Sequence, residues 1–314
     1  MIEIRLEHIC TIPSAEKGYE FVSHSITING DALFLYKKKP KFKIFGERNI
    51  QYKILRQNKK KFEEIYLPPF KVNYPFLDIF SDGSILLVDS RCQYHEPNNF
   101  VSNAIIYNPL TKKSYQFPVG DGIEQVAVDS KDNIWVSYFD EGVLKNSGHD
   151  LFNQDKGNSR SIGGSGLNCF DSNGNLLWRF DQSGHFILDC YAMNVTSHET
   201  HIFYYTDFDF CTISEGFQTK FFSTELAGCS AFAISGNHLL FNGQYNDEIS
   251  KAYLVTKEGD RLTLKIPVIL MLDHGESFTE GTLIGRGKKL HLFTKTDWYA
   301  IDAWDAFKQT QASS

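Results

Sequence analysis

Short apolar or alternating runs, each leading through a tight polar turn into a second apolar run, recur along the whole chain. Alternation with period two buries one face of a strand, and Gly, Asp, Asn or Ser in the turn supplies positive φ, so each repeat reads as a β-hairpin. Six such pairs follow one another. Ser25 to Ile28 pairs with Ala32 to Tyr36, Phe76 to Phe80 with Ile85 to Asp89, and Ile123 to Asp129 with Ile134 to Phe139. Ile187 to Val195 pairs with His201 to Thr206, Ser230 to Ile234 with His238 to Phe241, and Thr282 to Ile284 with Leu290 to Phe293. A more polar hairpin follows most of them, as in Ala104 to Tyr107 with Ser114 to Phe117, and Phe210 to Ile213 with Thr219 to Phe222. Four antiparallel strands repeating at roughly 40 to 65 residues are the signature of a propeller blade.

The expected fold is therefore all-β: a single β-propeller domain over 1–314, with six four-stranded blades. The first pair of each blade would line a central channel and the polar second pair the rim. The N-terminal Ile2 to Leu6 is expected to pair with the C-terminal unit, Thr282 to Ile301, closing the last blade and removing two unpaired edges. The competing architecture is two packed β domains.

Composition agrees with this reading. Aromatic residues make up 14% of the chain, with 26 Phe and 15 Tyr, and such side chains suit pleated surfaces. The six cysteines are scattered without C-x-x-C spacing, as expected of reduced thiols in a cytoplasmic protein. The N-terminus carries Glu3 and Glu7 without a long apolar run, so neither a secretory leader nor a membrane span is expected. A net charge of −6 argues against nucleic acid as a partner. Charge is uneven: residues 1–71 balance at +6 and the remainder at −12. The basic clusters Lys37-Lys38-Lys39, Lys41, Lys43 and Lys59-Lys60-Lys61 are read as lysines guarding the outer edge of the first blade.

Three motif-like runs fail on their setting. His198-Glu199-Thr200-His201 falls in a hairpin turn and not on a helix, so its imidazoles share no helical face. Gly163-Gly164-Ser165-Gly166 lacks the strand-to-helix context of a nucleophile elbow and reads as the flexible end of a loop. Gly120-Asp121-Gly122 lacks the third glycine of a dinucleotide fingerprint.

Propeller loops converge where first strands begin and second strands end, so function is sought there. Candidate partner-binding residues at that end are Asp89, Arg91, Asp140, Glu141, Asp207 and Asp247. Two excursions add apolar anchors: Arg91 to Phe100 carries Tyr94, His95 and Phe100, and the insertion of about 27 residues from 140 to 166 carries Leu144, Leu151 and Phe152. Aromatic anchors inside an acidic rim suit a basic protein partner. Glu124 and Asp189 are the candidate metal carboxylates.

The run 120–143, with its turn followed by Ile134-Trp135, resembles blades of the NHL, streptogramin-lyase and gluconolactonase-like propellers. The lyase resemblance implies a catalytic histidine with Mg²⁺-supporting acids, for which His185 is the comparable residue. The lactonase resemblance implies a metal set of Glu, Asn and Asp, matched in part by Glu124 and Asp189. Without a catalytic motif, the expected function is a non-catalytic, monomeric binding protein needing no cofactor. An immunity-type protein neutralising a cognate bacterial toxin is its most specific form. The alternative is a metal-assisted propeller enzyme of the lyase or lactonase kind.

Overall fold

The computed structural model describes residues 1–40, 49–58, 61–92, 94–96, 99–144 and 162–312, with the backbone alone at 94–96, 99–100 and 264. The chain is a β-propeller of six four-stranded blades. It divides into two compact units, one made of 15–189 and the other of 1–14 with 190–314.

In the first unit, blade one runs Tyr19–Ile26, Ala32–Lys38, Tyr52–Asn58 and Lys61–Tyr66. Blade two runs Pro75–Ile79, Ile85–Asp89, Ala104–Asn108 and Lys113–Phe117; blade three runs Ile123–Val128, Ile134–Tyr138, Leu167–Phe170 and Leu176–Arg179. Aspartates set the hairpins of blade three. Asp129 Oδ1 accepts from the Lys131 and Asn133 amides, and Asp171 Oδ1 does the same with Asn173 and Asn175, an Asx turn that fixes strand register.

In the other unit, blade four runs Asp189–Val195, Thr200–Tyr205, Phe210–Ile213 and Thr219–Phe222. Blade five runs Phe232–Ser235, His238–Asn242, Lys251–Glu258 and Arg261–Met271; blade six runs Thr282–Arg286, Lys289–Phe293 and Asp297–Asp302. The N-terminal strand does complete blade six, but through Glu7–Thr11, which pairs antiparallel with Asp297–Asp302. The expected closing segment, Ile2–Arg5, instead adds in parallel to Arg261–Met271 as a fifth strand of blade five. Alternation explains the division: Ile4 and Leu6 point into one apolar layer, whereas Glu7 and His8 are exposed. The chain then ends in a helix, α1 (Ala303–Ala312), whose Ala303, Ala306, Phe307 and Thr310 are buried at three- and four-residue spacing.

The core lies between neighbouring blades. Leu35, Ile54, Leu77 and Leu87 fill the layer between blades one and two, and Val88, Ile106, Ile134 and Val136 the next. Phe203, Phe210, Phe232 and Phe241 fill the layer between blades four and five. Burial peaks on the second and third strands, so the expected split into a buried first pair and a polar second pair is wrong by one strand. Leu167–Phe170 and Phe210–Ile213 are buried throughout, whereas the fourth strand Lys113–Phe117 is exposed except at its end. A third strand has blades on both sides, and only the fourth meets water on its outer edge.

Candidate functional site

The blade ends where first strands begin and second strands leave carry two separate constellations, one in each unit. In the 15–189 unit the backbone comes unusually close. A Cβ on Gly122 would lie 2.3 Å from the Gly142 amide nitrogen, and Gly122 sits at φ +66, so both demands select glycine. Gly142 lies in a short helix, Asp140–Leu144, that follows blade three's second strand. This approach brings Asp121 and Glu141 to Arg91, whose Nε forms an ion pair with Asp121 Oδ1 (3.1 Å) and whose Nη1 donates to Glu141 Oε2 (2.8 Å). Asp121 is buried and also accepts from the Cys92 amide. Asp89 is buried as well and accepts from the Asn73 and Tyr74 amides. Asn103 ties these loops together, donating to the Asp89 and Gly120 carbonyls and accepting from the Val119 amide. Asp89, Arg91 and Glu141 therefore brace the loops, and of the predicted contact residues here Asp140 is left as an exposed carboxylate.

Two carboxyl groups in this unit are strongly perturbed. Burial, with the Asp189 charge second, pushes Glu124 up to about 7. Burial, with the Asp140 charge second, pushes Asp189 up to about 6. For both groups loss of hydration is the larger cause and a neighbouring carboxylate the smaller one. Asp189 Oδ1 is shielded from solvent and has no hydrogen-bond partner among the described residues. The resemblance to lyases and lactonases implies a divalent metal, for which Glu124 and Asp189 are the carboxylates that would serve. Among the described residues no three of His, Cys, Asp or Glu come together as a ligand set. His185, on the loop Asp181–Leu188, joins no such set.

The second constellation was not visible in sequence. Tyr191, Tyr205, Phe208 and Tyr245 lie far apart in the chain, yet blades four and five pack them into one aromatic cluster. Tyr191 stacks on Phe208 (5.7 Å between centroids) and meets Tyr245 edge-on (6.0 Å), and Phe208 meets Tyr205 at 5.4 Å. The Tyr245 hydroxyl bonds that of Tyr191. Tyr245 and Tyr205 remain 52% and 38% exposed, so the cluster is a surface and not a core. Phe208 sits at φ +57, a left-handed conformation that is a genuine outlier for a bulky side chain. It lies between Asp207, which is exposed, and Asp209. Asp247, by contrast, is spent internally on Lys251 Nζ, the Tyr253 hydroxyl and the Gln244 amide.

Other expectations are placed as follows. The side chains of Tyr94, His95 and Phe100, together with Leu151, Phe152, Lys41, Lys43, Lys59 and Lys60, lie outside the described residues; the 91–100 excursion contains a small hairpin, Tyr94–Glu96 with Asn99–Phe100. Leu144 is half-buried. His198 is exposed in the turn, while His201 is buried in the strand Thr200–Tyr205. The expected flexible 163–166 run is instead a tight helical turn braced by Asn168, which donates to the Ile162 carbonyl at 2.6 Å. Lys37 and Lys38 end the second strand of blade one, not its outer edge, and Lys37 pairs with Glu20; Lys61 begins the outermost strand. None of the six cysteines forms a disulfide. Among the described residues no helix is long and apolar enough to cross a membrane.

No family model matches the chain, and no curated protein matches it. Solved structures of similar fold include virginiamycin B lyase from Staphylococcus aureus, at 10% identity over 89% of this chain and 93% of that one, with a TM-score of 0.49. A gluconolactonase from Xanthomonas campestris aligns at 8% identity over 93% and 97%, with a TM-score of 0.45. An auxiliary nutrient binding protein from Bacteroides ovatus aligns at 9% identity over 89% and 68%, with a TM-score of 0.48. The likeness is one of propeller fold.

Proposed function

We propose that this chain is a cytoplasmic binding protein that presents the cluster Tyr191, Tyr205, Phe208 and Tyr245 to a basic protein partner. The observation that carries this reading is an exposed aromatic surface, held in place by a left-handed Phe208 and flanked by Asp207 and Asp209. Rigid aromatics give large contact area at small entropic cost, and flanking carboxylates speed the encounter with a cationic surface. An immunity-type role, neutralising a basic toxin, is the version that the acidic rim favours. Affinity capture from native lysate, followed by titration of the recovered partner, tests the surface. Tyr245→Ala should weaken binding at least about tenfold, or about 1.4 kcal/mol, and Asp207→Asn should slow association. Unchanged affinity in Tyr245→Ala, with loss on neutralising Lys37, Lys38 and Lys39, would place the partner elsewhere.

A second reading, an enzyme acting through Glu124 and Asp189, has one observation in its favour. Two half-buried carboxyl groups whose proton affinity is raised towards neutrality are suited to general acid–base work. Activity on lactones or cyclic esters that vanishes in Glu124→Gln would favour it.

A further inference from the structure

At the opposite end of blades four and five, four hairpin turns enclose a cavity of about 340 Å³ lined by Glu199, Thr212, Ser214, Lys220, Asn237 and Lys257 over a floor of Phe222. We propose that this cavity is a binding site for a small phosphorylated or carboxylated molecule, with the anionic group held between Lys220 and Lys257. It shares no residue with the aromatic surface and does not depend on the partner reading.

Three observations support the assignment. First, both ammonium groups converge on one ring: Lys220 Nζ lies 4.8 Å and Lys257 Nζ 5.5 Å from the centroid of Phe222, which is itself buried. Two cations held at one ring repel each other, and a bound anion would relieve that repulsion. Secondly, neither lysine has an ion-pair partner within 4.0 Å among the described residues, although other lysines of the chain do, such as Lys53 with Glu16 and Glu64. Lys257 is half-buried, and burial, only partly offset by the more distant Glu199, pulls its affinity for a proton down. Thirdly, the lining offers the Asn237 amide as a donor to an anion's remaining oxygens, whereas the Ser214 hydroxyl already donates to the Gln218 carbonyl. Thr212 Oγ1 is oriented by His201 Nδ1 at 3.0 Å.

Glu199 sets the rest of the ligand's chemistry. Its neighbour His201 is buried and kept neutral, so it adds no third cation to a lining that sets one carboxylate against two lysines. A bare polyanion would meet Glu199 unfavourably. A molecule with an anionic group at one end and hydroxyls at the other would satisfy both, the hydroxyls donating to the carboxylate. The volume suits a compact molecule of that kind, near the lower end of small-molecule sites.

Calorimetric titration of the full chain at constant ionic strength tests this, with inorganic phosphate, glucose 6-phosphate and glucose as probes. Saturable binding of phosphate, tighter binding of glucose 6-phosphate and none of glucose is the expected order. Lys220→Met, at an exposed position that should not disturb folding, should weaken glucose 6-phosphate at least tenfold, and Lys257→Met should do so more strongly. Lys257→Arg should restore part of the affinity, and Lys288→Met, on another turn, should change nothing. The assignment fails if neither anion binds at millimolar concentration. It also fails if Lys220→Met and Lys257→Met bind as the unaltered chain does, or if Lys288→Met weakens binding equally, which would mark a diffuse charge effect. Unchanged partner affinity in Tyr245→Ala, with anion binding as expected, would refute the aromatic-surface reading alone.

Discussion

Truncating Ile4 to alanine probes how the N-terminus holds the last two blades. Ile4 is fully buried, pairs in register with Leu270, and packs in one layer with Leu240, Leu254, Val268 and Phe307. The layer is fixed on one side by the sheet and on the other by α1, so the space left by the lost branch cannot collapse easily. Such large-to-small changes cost about 2–5 kcal/mol, against a net stability of about 5–15 kcal/mol for a typical domain. At about 2–4 °C per kcal/mol in chains somewhat shorter than this one, the melting temperature should fall by about 4–20 °C. Urea unfolding followed by tryptophan fluorescence and far-ultraviolet circular dichroism gives the free energy, provided the two probes coincide. Glu3→Ala, on the same strand but exposed, is the control and should shift stability by no more than about 0.5 kcal/mol. Equal midpoints for Ile4→Ala and Glu3→Ala would refute the parallel addition of Ile2–Arg5 to blade five.

Gly122→Ala should destabilise by at least about 2 kcal/mol more than Gly18→Ala, because both glycines have positive φ but only Gly122 faces backbone within reach of a Cβ; equal melting temperatures would remove the close-approach argument. Burial lowers His201 and His291 to about 3 each. Their contribution is therefore present above the unfolded value near 6.5 and is lost as pH falls towards the folded values, so stability should drop between pH 7 and 5 by about 2 kcal/mol per histidine. His201→Gln should flatten that slope in urea titrations. Glu124 and Asp189 work in the opposite sense: raised in the folded chain, they favour folding below their unfolded values and cease to do so as pH rises through about 6 and 7. Asp189→Asn should accordingly stabilise the chain more at pH 8 than at pH 5. Ca²⁺ and Mg²⁺ should leave the melting temperature unchanged; a rise of several degrees that is abolished by Glu124→Gln would restore the metal reading.

Much of the fold was legible because each blade repeats a local instruction. Asp-rich turns such as Asp129 to Asn133 carry their own hydrogen bonds, so hairpin positions follow from local sequence. The helix α1 also left a signal, the spacing of Ala303, Ala306, Phe307 and Thr310, which is short enough to be lost beside the strand pattern of 282–301. The division of the N-terminus between two blades was not legible. Ile2–Arg5 has the alternation of any edge strand. Which edge it joins depends on the apolar layer that Val268 and Leu270 share with Ile4, and only the folded blade brings those side chains together. The acids at strand ends were legible as a set but not in their roles, because a carboxylate that caps a loop, as Asp89 does, has the same sequence signature as one facing solvent.

The same limit separates the residues at which a binding surface was sought from the aromatic cluster on which the proposed one rests. Sequence reasoning looked for anchors in the long excursions, since length attracts attention and apolar residues inside them have no evident core to join. The aromatic cluster is built differently. Tyr205 ends a strand, Phe208 turns through a left-handed position two residues before the next strand begins at Phe210, and Tyr191 lies within a strand. Only Tyr245 belongs to a longer connection, and its ring packs over Gly228, where a Cβ would come within 2.5 Å of it. Rings fixed by strands and by one strained turn lose little freedom on binding, whereas a long loop must be ordered first at a cost of about 0.5–1.5 kcal/mol for each side chain immobilised. Such rings present contact area without depending on a long loop, while the apolar anchors expected at Leu151 and Phe152 lie outside the described residues.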